Sequence, residues 1–205
     1  MSRSTKATVV LAAAVLLPLG FSITGASADT YTGTNRADVI DTANSVDTAD
    51  IVNAKAGGDE VRTYAGSDDV KAGRGNDRVF AGLGDDTVDG SFGDDRLELG
   101  DGNDTAAGGE NSDVLLGQVG DDILRGNFGN DTLSAGTGAD ALTPGPSRDL
   151  VKGGAGNDVV NLTQDSARDE IRCGDGDDVV NYSVAVKPAG DTLVGCETVN
   201  LAPPA

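Results

Sequence analysis

The sequence predicts an all-β protein, a flattened parallel β-roll (β-solenoid) of nonapeptide repeats with 18 residues in each coil. Two observations support this fold class. Residues 54–161 divide without a gap into twelve consecutive units of nine residues that share one pattern of side-chain types. The composition is also unusual, with 30 Gly, no Trp, no His and only 3% aromatic residues. A short period of this kind indicates a stack of small units rather than an ordinary layered globule.

Three positions of the nine-residue unit carry the pattern. The sixth position is Asp in all twelve units, the fourth is Gly in ten and the eighth is Val or Leu in eleven. The exceptions are Asn111 and Ser147 at the fourth position and Ala106 at the eighth. Weaker copies on either side of this block extend the acidic column, which gains Asp38, Asp50, Asp169, Asp178 and Asp191.

Each unit combines a turn with a very short strand. Its first six residues are rich in Gly, Asn and Asp, which favour tight turns and tolerate positive φ. Its last three place one aliphatic side chain between two variable ones, so we expect a three-residue strand with one inward side chain. Two units then close one coil, and roughly eight coils about 4.8 Å apart form a rod about 40 Å long.

The acidic column requires a counter-charge. Stacked Asp side chains repel one another at the spacing of the coils, and the aliphatic core between them is thin. A cation between successive turns removes that repulsion. The available donors are carboxylates and backbone carbonyls, without imidazole or a thiolate cluster, and all-oxygen sites suit hard cations. Ca²⁺ accepts six to eight oxygens in flexible geometry, whereas Mg²⁺ demands a strict octahedron. We therefore expect Ca²⁺ between the turns.

Several units closely resemble a known repeat. GGAGNDVVN (153–161), AGRGNDRVF (72–80) and AGLGDDTVD (81–89) are similar to the G-G-x-G-x-D-x-U-x nonapeptide of RTX, or hemolysin-type, calcium-binding proteins. The resemblance covers about residues 33–194. It implies a right-handed parallel β-roll in which the repeat's Asp and the carbonyls of the Gly loops hold multiple Ca²⁺ ions between neighbouring coils.

The resemblance assigns metal binding to the units with an intact loop. The residues concerned are Asp77, Asp86, Asp95, Asp104, Asp122, Asp131, Asp140, Asp158, Asp178, Gly75, Gly84, Gly93, Gly102, Gly120, Gly129, Gly138 and Gly156. Other units depart from the motif and are left out of this set. Their acids are Asp59 and Asp68 after atypical openings, Asp113 after Asn111, Asp149 after a Pro-containing loop, and Asp169 in a unit without Gly.

The chain ends predict export and capping. Residues 1–28 combine Arg3 and Lys6, an apolar stretch and Ala26-Ser27-Ala28, the features of a cleaved signal peptide. We expect an N-terminal cap of degenerate repeats at 29–53, the calcium-binding β-roll at 54–181 and a C-terminal cap at 182–205. A disulfide between Cys173 and Cys196 ties that cap down. No segment after the signal is apolar enough to span a bilayer.

Composition limits the function classes. A formal net charge of −19 argues against nucleic-acid binding, and the absence of His removes most acid–base chemistry. We predict a secreted, extracellular calcium-binding protein that folds on binding and is not an enzyme. The alternative is an adhesin or matrix component that uses calcium only structurally, with a cell-surface or polysaccharide partner. A polysaccharide lyase is disfavoured because the acids form one repeated column. Phe92 and Phe128 are either partner contacts or isolated loop side chains.

Overall fold

The computed structural model describes residues 29–42, 49–163, 167–183 and 190–202. The predicted signal segment, 1–28, lies outside these described residues. All regular elements within the described ranges are β-strands, and no helix in them is long and apolar enough to cross a membrane. The strands are β1 Thr30–Thr32, β2 Val39–Asp41, β3 Ile51–Asn53, β4 Glu60–Ala65, β5 Asp69–Arg74, β6 Arg78–Leu83, β7 Thr87–Phe92, β8 Arg96–Asp101, β9 Thr105–Glu110, β10 Val114–Val119, β11 Ile123–Phe128, β12 Thr132–Thr137, β13 Ala141–Thr143, β14 Leu150–Ala155, β15 Val159–Leu162, β16 Glu170–Asp175, β17 Val179–Tyr182, β18 Thr192–Val194 and β19 Thr198–Leu201.

The strands form two parallel sheets that face each other across a narrow core. Odd-numbered strands make a 10-stranded sheet in the order β1 to β19, and even-numbered strands make a 9-stranded sheet. Each strand therefore pairs with the strand two ahead of it, and successive strands alternate between the sheets. This topology confirms the predicted parallel solenoid. It contains about 9 turns, more than the roughly eight predicted, because the terminal segments also pair.

The register between coils corresponds to two repeat units. Leu97 of β8 pairs with Leu115 of β10, and equivalent positions are 18 residues apart through the central coils. The insertion at 162–163 lengthens one coil to 20 residues, so that Val151 pairs with Ile171. Leu162 remains in β15, where it pairs with Tyr182, and the stack continues past the insertion.

The strands are longer than the sequence predicts. Those of the central coils have 6 residues rather than three, and β6 joins the last three positions of one unit to the first three of the next. The turn that follows is confined to residues 84–86. Gly82, at the second position, adopts a φ of 116° while still paired with Tyr64 of β4. Glycine there bends a paired strand instead of ending it, so the prediction of a six-residue turn is wrong.

Two positions of each unit face the core, where the sequence predicts one. The eighth position contributes the expected aliphatic side chains, such as Val79 and Leu97, both with 0% exposure. The first position contributes a second set that is equally buried, including Ala81 and Leu99. The overlooked signal is that the first position carries no charged side chain in any of the twelve units.

The disulfide joins the C-terminal strands to the coil beneath them. Cys173 in β16 and Cys196 in the turn before β19 are bonded, with a Cα–Cα distance of 5.1 Å. This confirms the predicted pairing. Because it closes a loop with a sequence separation of 23, the bond is expected to stabilise the folded end by about 3 kcal/mol.

Close stacking of the turns makes one substitution informative. Gly93 has a φ of 128°, and a Cβ on it would collide with the Gly75 carbonyl of the coil below. In saturating Ca²⁺, Gly93→Ala is expected to lower the free energy of urea unfolding by about 1–3 kcal/mol. Gly58→Ala is the control, because Gly58 is exposed and its added Cβ would lie 3.2 Å from its nearest neighbour, the Asn76 oxygen. Equal losses in the two variants would contradict this account of the turns.

Candidate metal centre

The sixth-position Asp side chains lie inside the roll. Each is 2% exposed or less from Asp59 to Asp158, and Asp178 is completely buried. Because successive units fall on opposite edges of the roll, the acids form two columns. One column runs Asp38, Asp59, Asp77, Asp95, Asp113, Asp131, Asp149, Asp169 and Asp191, and the other runs Asp50, Asp68, Asp86, Asp104, Asp122, Asp140, Asp158 and Asp178.

One oxygen of each carboxylate is occupied by the backbone of the preceding coil. The Asp86 N–H donates to Asp104 Oδ1 at 2.7 Å, and the Asp77 N–H donates to Asp95 Oδ1 at 2.8 Å. This bond recurs along both columns. At the C-terminal end Asp178 donates instead to Glu197 Oε2 at 2.9 Å. The ladder fixes each carboxylate and satisfies the N–H that would otherwise be buried without a partner.

The second oxygen is buried without a hydrogen-bond partner. Within the described residues this holds for Oδ2 of Asp59, Asp77, Asp86, Asp95, Asp104, Asp113, Asp122, Asp131 and Asp178. A buried carboxylate oxygen without a hydrogen bond or counter-ion is costly. A set that repeats at every coil is therefore a row of positions at which a cation fits.

Glycine at the first position leaves room beside these oxygens. A Cβ placed on Gly90 would stand 2.5 Å from both Asp95 Oδ2 and the Gly108 carbonyl oxygen of the next coil. At Gly117 the added atom would stand 2.6 Å from the Ala135 carbonyl oxygen and would also collide with the carboxylate of its own unit. Carboxylate and carbonyl oxygens from neighbouring coils thus converge at the same place.

Burial raises the pKa values of these carboxyl groups. Desolvation is the largest cause and takes the pKa of Asp77, Asp86, Asp113 and Asp122 from 3.8 to about 7. The N–H bond from the preceding coil lowers the pKa of each of these groups, and neighbouring carboxylates raise it further.

The same burial takes other members of the two columns to a pKa of about 6. These are Asp95, Asp104, Asp131 and Asp158. Without a bound cation, burial therefore moves the ionisation of these carboxyl groups from the acid range up to about pH 6 to 7.

The donor set fits a hard cation. The described residues contain no group of three or more His, Cys, Asp or Glu side chains placed to hold a metal. A cation at these positions would take its charge balance from the unpaired Asp oxygens and other ligands from nearby backbone carbonyls, such as that of Gly108. Ca²⁺ tolerates such flexible, oxygen-only coordination of six to eight ligands.

A family comparison agrees with this chemistry. The profile of the RTX calcium-binding nonapeptide repeat matches four times, at residues 45–79, 71–106, 107–142 and 145–167. The chain belongs to the RTX repeat family. The repeats of this family bind calcium, and the solenoid observed here is the fold that the resemblance implied. The comparison with curated proteins finds no match.

The structure brings all predicted aspartates of the site into the two buried columns. The eight predicted glycines occupy the turns between them, all with positive φ, at Gly75, Gly84, Gly93, Gly102, Gly120, Gly129, Gly138 and Gly156. The departures from the motif do not interrupt this geometry. Asn111 and Ser147 adopt positive φ values of 83° and 92° at the same position. Asp113, Asp149 and Asp169 are buried and accept the same N–H bond as the other acids.

A second, outer ladder was not predicted. Fifth-position side chains accept an N–H from the following coil, as when the Asn103 N–H donates to Asp85 Oδ1 at 2.9 Å. The Asp121 N–H then donates to Asn103 Oδ1 at 2.8 Å. The signal in the sequence was the frequent Asn or Asp immediately before the sixth-position Asp. These side chains are exposed. The fifth position therefore carries an exposed side chain that accepts a backbone N–H, whereas the sixth position carries a buried carboxylate.

Proposed function

We propose that this chain is a secreted calcium-binding protein whose repeat turns hold several Ca²⁺ ions and fold when the ions bind. The observation that carries the proposal is the repeated, buried Asp Oδ2 without a hydrogen-bond partner. We assign the metal to the predicted aspartates and to carbonyls of the Gly turns. Since Asp113 has the same geometry as its neighbours, we add it to the assigned set.

The protein's own groups prepare the site. The N–H ladder holds Oδ1, so each carboxylate presents Oδ2 in a fixed direction without losing side-chain freedom on binding. Positive-φ turns stack their carbonyls coil upon coil. A bound divalent cation supplies the charge that keeps the buried carboxylates ionised. The site binds Ca²⁺ and thereby organises the chain, and we propose no catalytic role for it.

Export is supported by the terminal features. The signal peptide expected at 1–28 precedes the described residues, and the Cys173–Cys196 disulfide is typical of oxidising compartments. The alternative function, an adhesin or matrix component with structural calcium, requires a surface that recognises a partner. One cavity with suitable chemistry is described in the next subsection.

Calorimetric titration of Asp104→Asn tests the site assignment. Asn keeps an oxygen that can accept the Asp86 N–H but removes the charge, so the number of bound ions is expected to fall by about one. Asp85→Asn is the matched control. Asp85 is exposed and accepts an N–H from the following coil, yet it lies outside the buried columns.

Asp169→Ala extends this test to a unit without glycine. The sequence predicts little change in calcium stoichiometry for this variant, because its loop lacks Gly.

An equal loss of bound calcium in Asp104→Asn and Asp85→Asn would refute the proposal that the buried columns hold the metal. A normal stoichiometry in Asp104→Asn would refute it as well.

A further inference from the structure

One surface cavity has a charge opposite to that of the whole chain. It opens at the edge of the roll beside β5 and β7, has a volume of about 500 Å³, and is lined by Lys55, Lys71, Arg74, Ser91 and Phe92, among others. Among the described residues, its lining contains three basic side chains and no acidic one, although the protein carries a net charge of −19. Its size falls within the roughly 300–1,000 Å³ of small-molecule sites.

The cations of this cavity are only partly neutralised. Lys71 pairs with Asp89 at 2.7 Å in an exposed ion pair, which contributes little in water. Among the described residues, Lys55 and Arg74 form no ion pair. The Arg74 guanidinium lies 5.4 Å from the centre of the Phe92 ring, which orients it at the cavity while its donors stay available.

The cavity also offers apolar and neutral polar contacts. Phe92 is 45% exposed and presents ring surface beside the cations. The Ser91 Oγ is buried and has no hydrogen-bond partner in the described part of the chain. Asn35 adds an amide to the lining. An aromatic face, a hydroxyl and an amide next to two free cations match a saturated ring that carries hydroxyl groups and one anionic group.

The geometry points to a binding site for an acidic sugar. Arg74 and Lys55 hold the carboxylate of the sugar, and the Phe92 ring packs against the C–H face of the sugar. The ligand is a sparsely charged glycan. A densely charged polyanion would be repelled by the acidic remainder of the protein, whereas one carboxylate is attracted locally by the basic lining.

A second cavity on the same edge provides an internal comparison. It lies beside β9 and β11, has a volume of about 440 Å³ and is lined by Glu110, Asn111, Phe128 and Gly129. It offers an aromatic ring that is 65% exposed, but an acid replaces the cations. This cavity is not expected to take an acidic sugar, so Phe92 and Phe128, two coils apart, differ in function.

Binding of a sialylated trisaccharide to the full-length, calcium-loaded protein tests this inference. The probe carries one carboxylate, and neutral lactose is its control. The sialylated sugar is expected to bind more tightly than lactose and to weaken as salt is raised. Arg74→Gln is expected to weaken this binding about tenfold or more, since it removes a charge-assisted contact. Phe92→Leu is expected to weaken it as well.

Two matched variants complete the test. Arg62 lies 5.2 Å over the Phe80 ring but pairs with Glu60 outside the cavity, so Arg62→Gln is expected to leave Kd unchanged. Phe128→Leu is the control for Phe92→Leu. Circular dichroism and calcium stoichiometry confirm that each variant is folded and loaded, which separates failure of this site from failure of calcium binding.

Three results would overturn the inference. The first is equal binding of lactose and the sialylated sugar, or binding of neither. The second is an equal loss of affinity in Arg62→Gln and Arg74→Gln. The third is a preference for polygalacturonate, a dense polyanion, over the sialylated sugar.

Discussion

Chelation of calcium is expected to unfold most of residues 29–205 at neutral pH and low salt. The buried columns would then hold carboxylates whose Oδ2 atoms have neither a hydrogen bond nor a counter-ion. The core that opposes them is thin, because first-position Gly residues such as Gly90 and Gly117 contribute no side chain to it. Parallel pairing alone does not compensate for buried charge.

The expected effect is large because many equivalent sites act together. A site at a calcium concentration of 100 Kd contributes about 2.7 kcal/mol to the folded state. A few such sites already equal the roughly 5–15 kcal/mol that stabilises an ordinary domain. Each coil contacts only its neighbours, so loss of the central ions divides the stack into segments too short to persist.

Far-UV circular dichroism measures this effect directly. The β signal is expected to disappear in chelator and to return as millimolar Ca²⁺ is added. Mg²⁺ at the same concentration is the control, and it is expected to restore less structure because it retains its waters and requires octahedral geometry. A fully folded protein in chelator and low salt would show that the Asp columns do not depend on metal.

Much of the fold could be predicted because each unit repeats the same physical requirement. An Asp at the sixth position of twelve consecutive units cannot arise from composition alone, and the Val or Leu two residues later identifies the strand. The disulfide followed from two cysteines in a chain expected to be exported. These features depend on side-chain type and spacing, which a sequence states directly.

The remaining features depend on backbone geometry that spacing does not specify. Gly82 and its equivalents look like turn residues, yet they lie in paired strands with positive φ. Tyr64 and Gln118 adopt the same conformation without being Gly, so residue type alone does not reveal the position. The sequence also does not show that Asp Oδ1 is used by the backbone while Oδ2 stays unpaired. That division follows from how successive coils stack, which the spacing of residues does not specify.

The effect of pH is expected to have opposite signs with and without calcium. Burial raises the pKa of Asp86 and Asp113 to about 7 and that of Asp104 to about 6, above the ordinary 3.8. In calcium-free protein the folded state therefore binds more protons than the unfolded state at pH values between 3.8 and about 6 to 7. Its stability is greatest at acid pH and is lost as pH rises through about 6 to 7.

Bound calcium reverses this dependence. A cation beside each carboxylate lowers its folded-state pKa, so the stabilisation by calcium is fully present above the unfolded pKa. It is lost as pH falls and protons compete for the same oxygens. Each carboxyl that is protonated in only one state changes the free energy of unfolding by about 1.4 kcal/mol per pH unit. Many carboxyls in one stack make the transition steep.

Calcium titrations at pH 7.5 and pH 5.5 distinguish the two signs. The calcium concentration at the folding midpoint is expected to rise at the lower pH. The chain in chelator is expected to gain β structure at pH 5.5, so that the difference in β content between the chelated and the calcium-loaded chain becomes smaller. The variant Asp69→Asn, altered at an exposed carboxylate that is not among the causes of the raised pKa values of Asp86, Asp104 or Asp113, is expected to follow the unmodified chain. An unchanged midpoint, or a chelated chain that is less folded at pH 5.5 than at pH 7.5, would mean that the buried aspartates are not the groups through which protons and calcium compete.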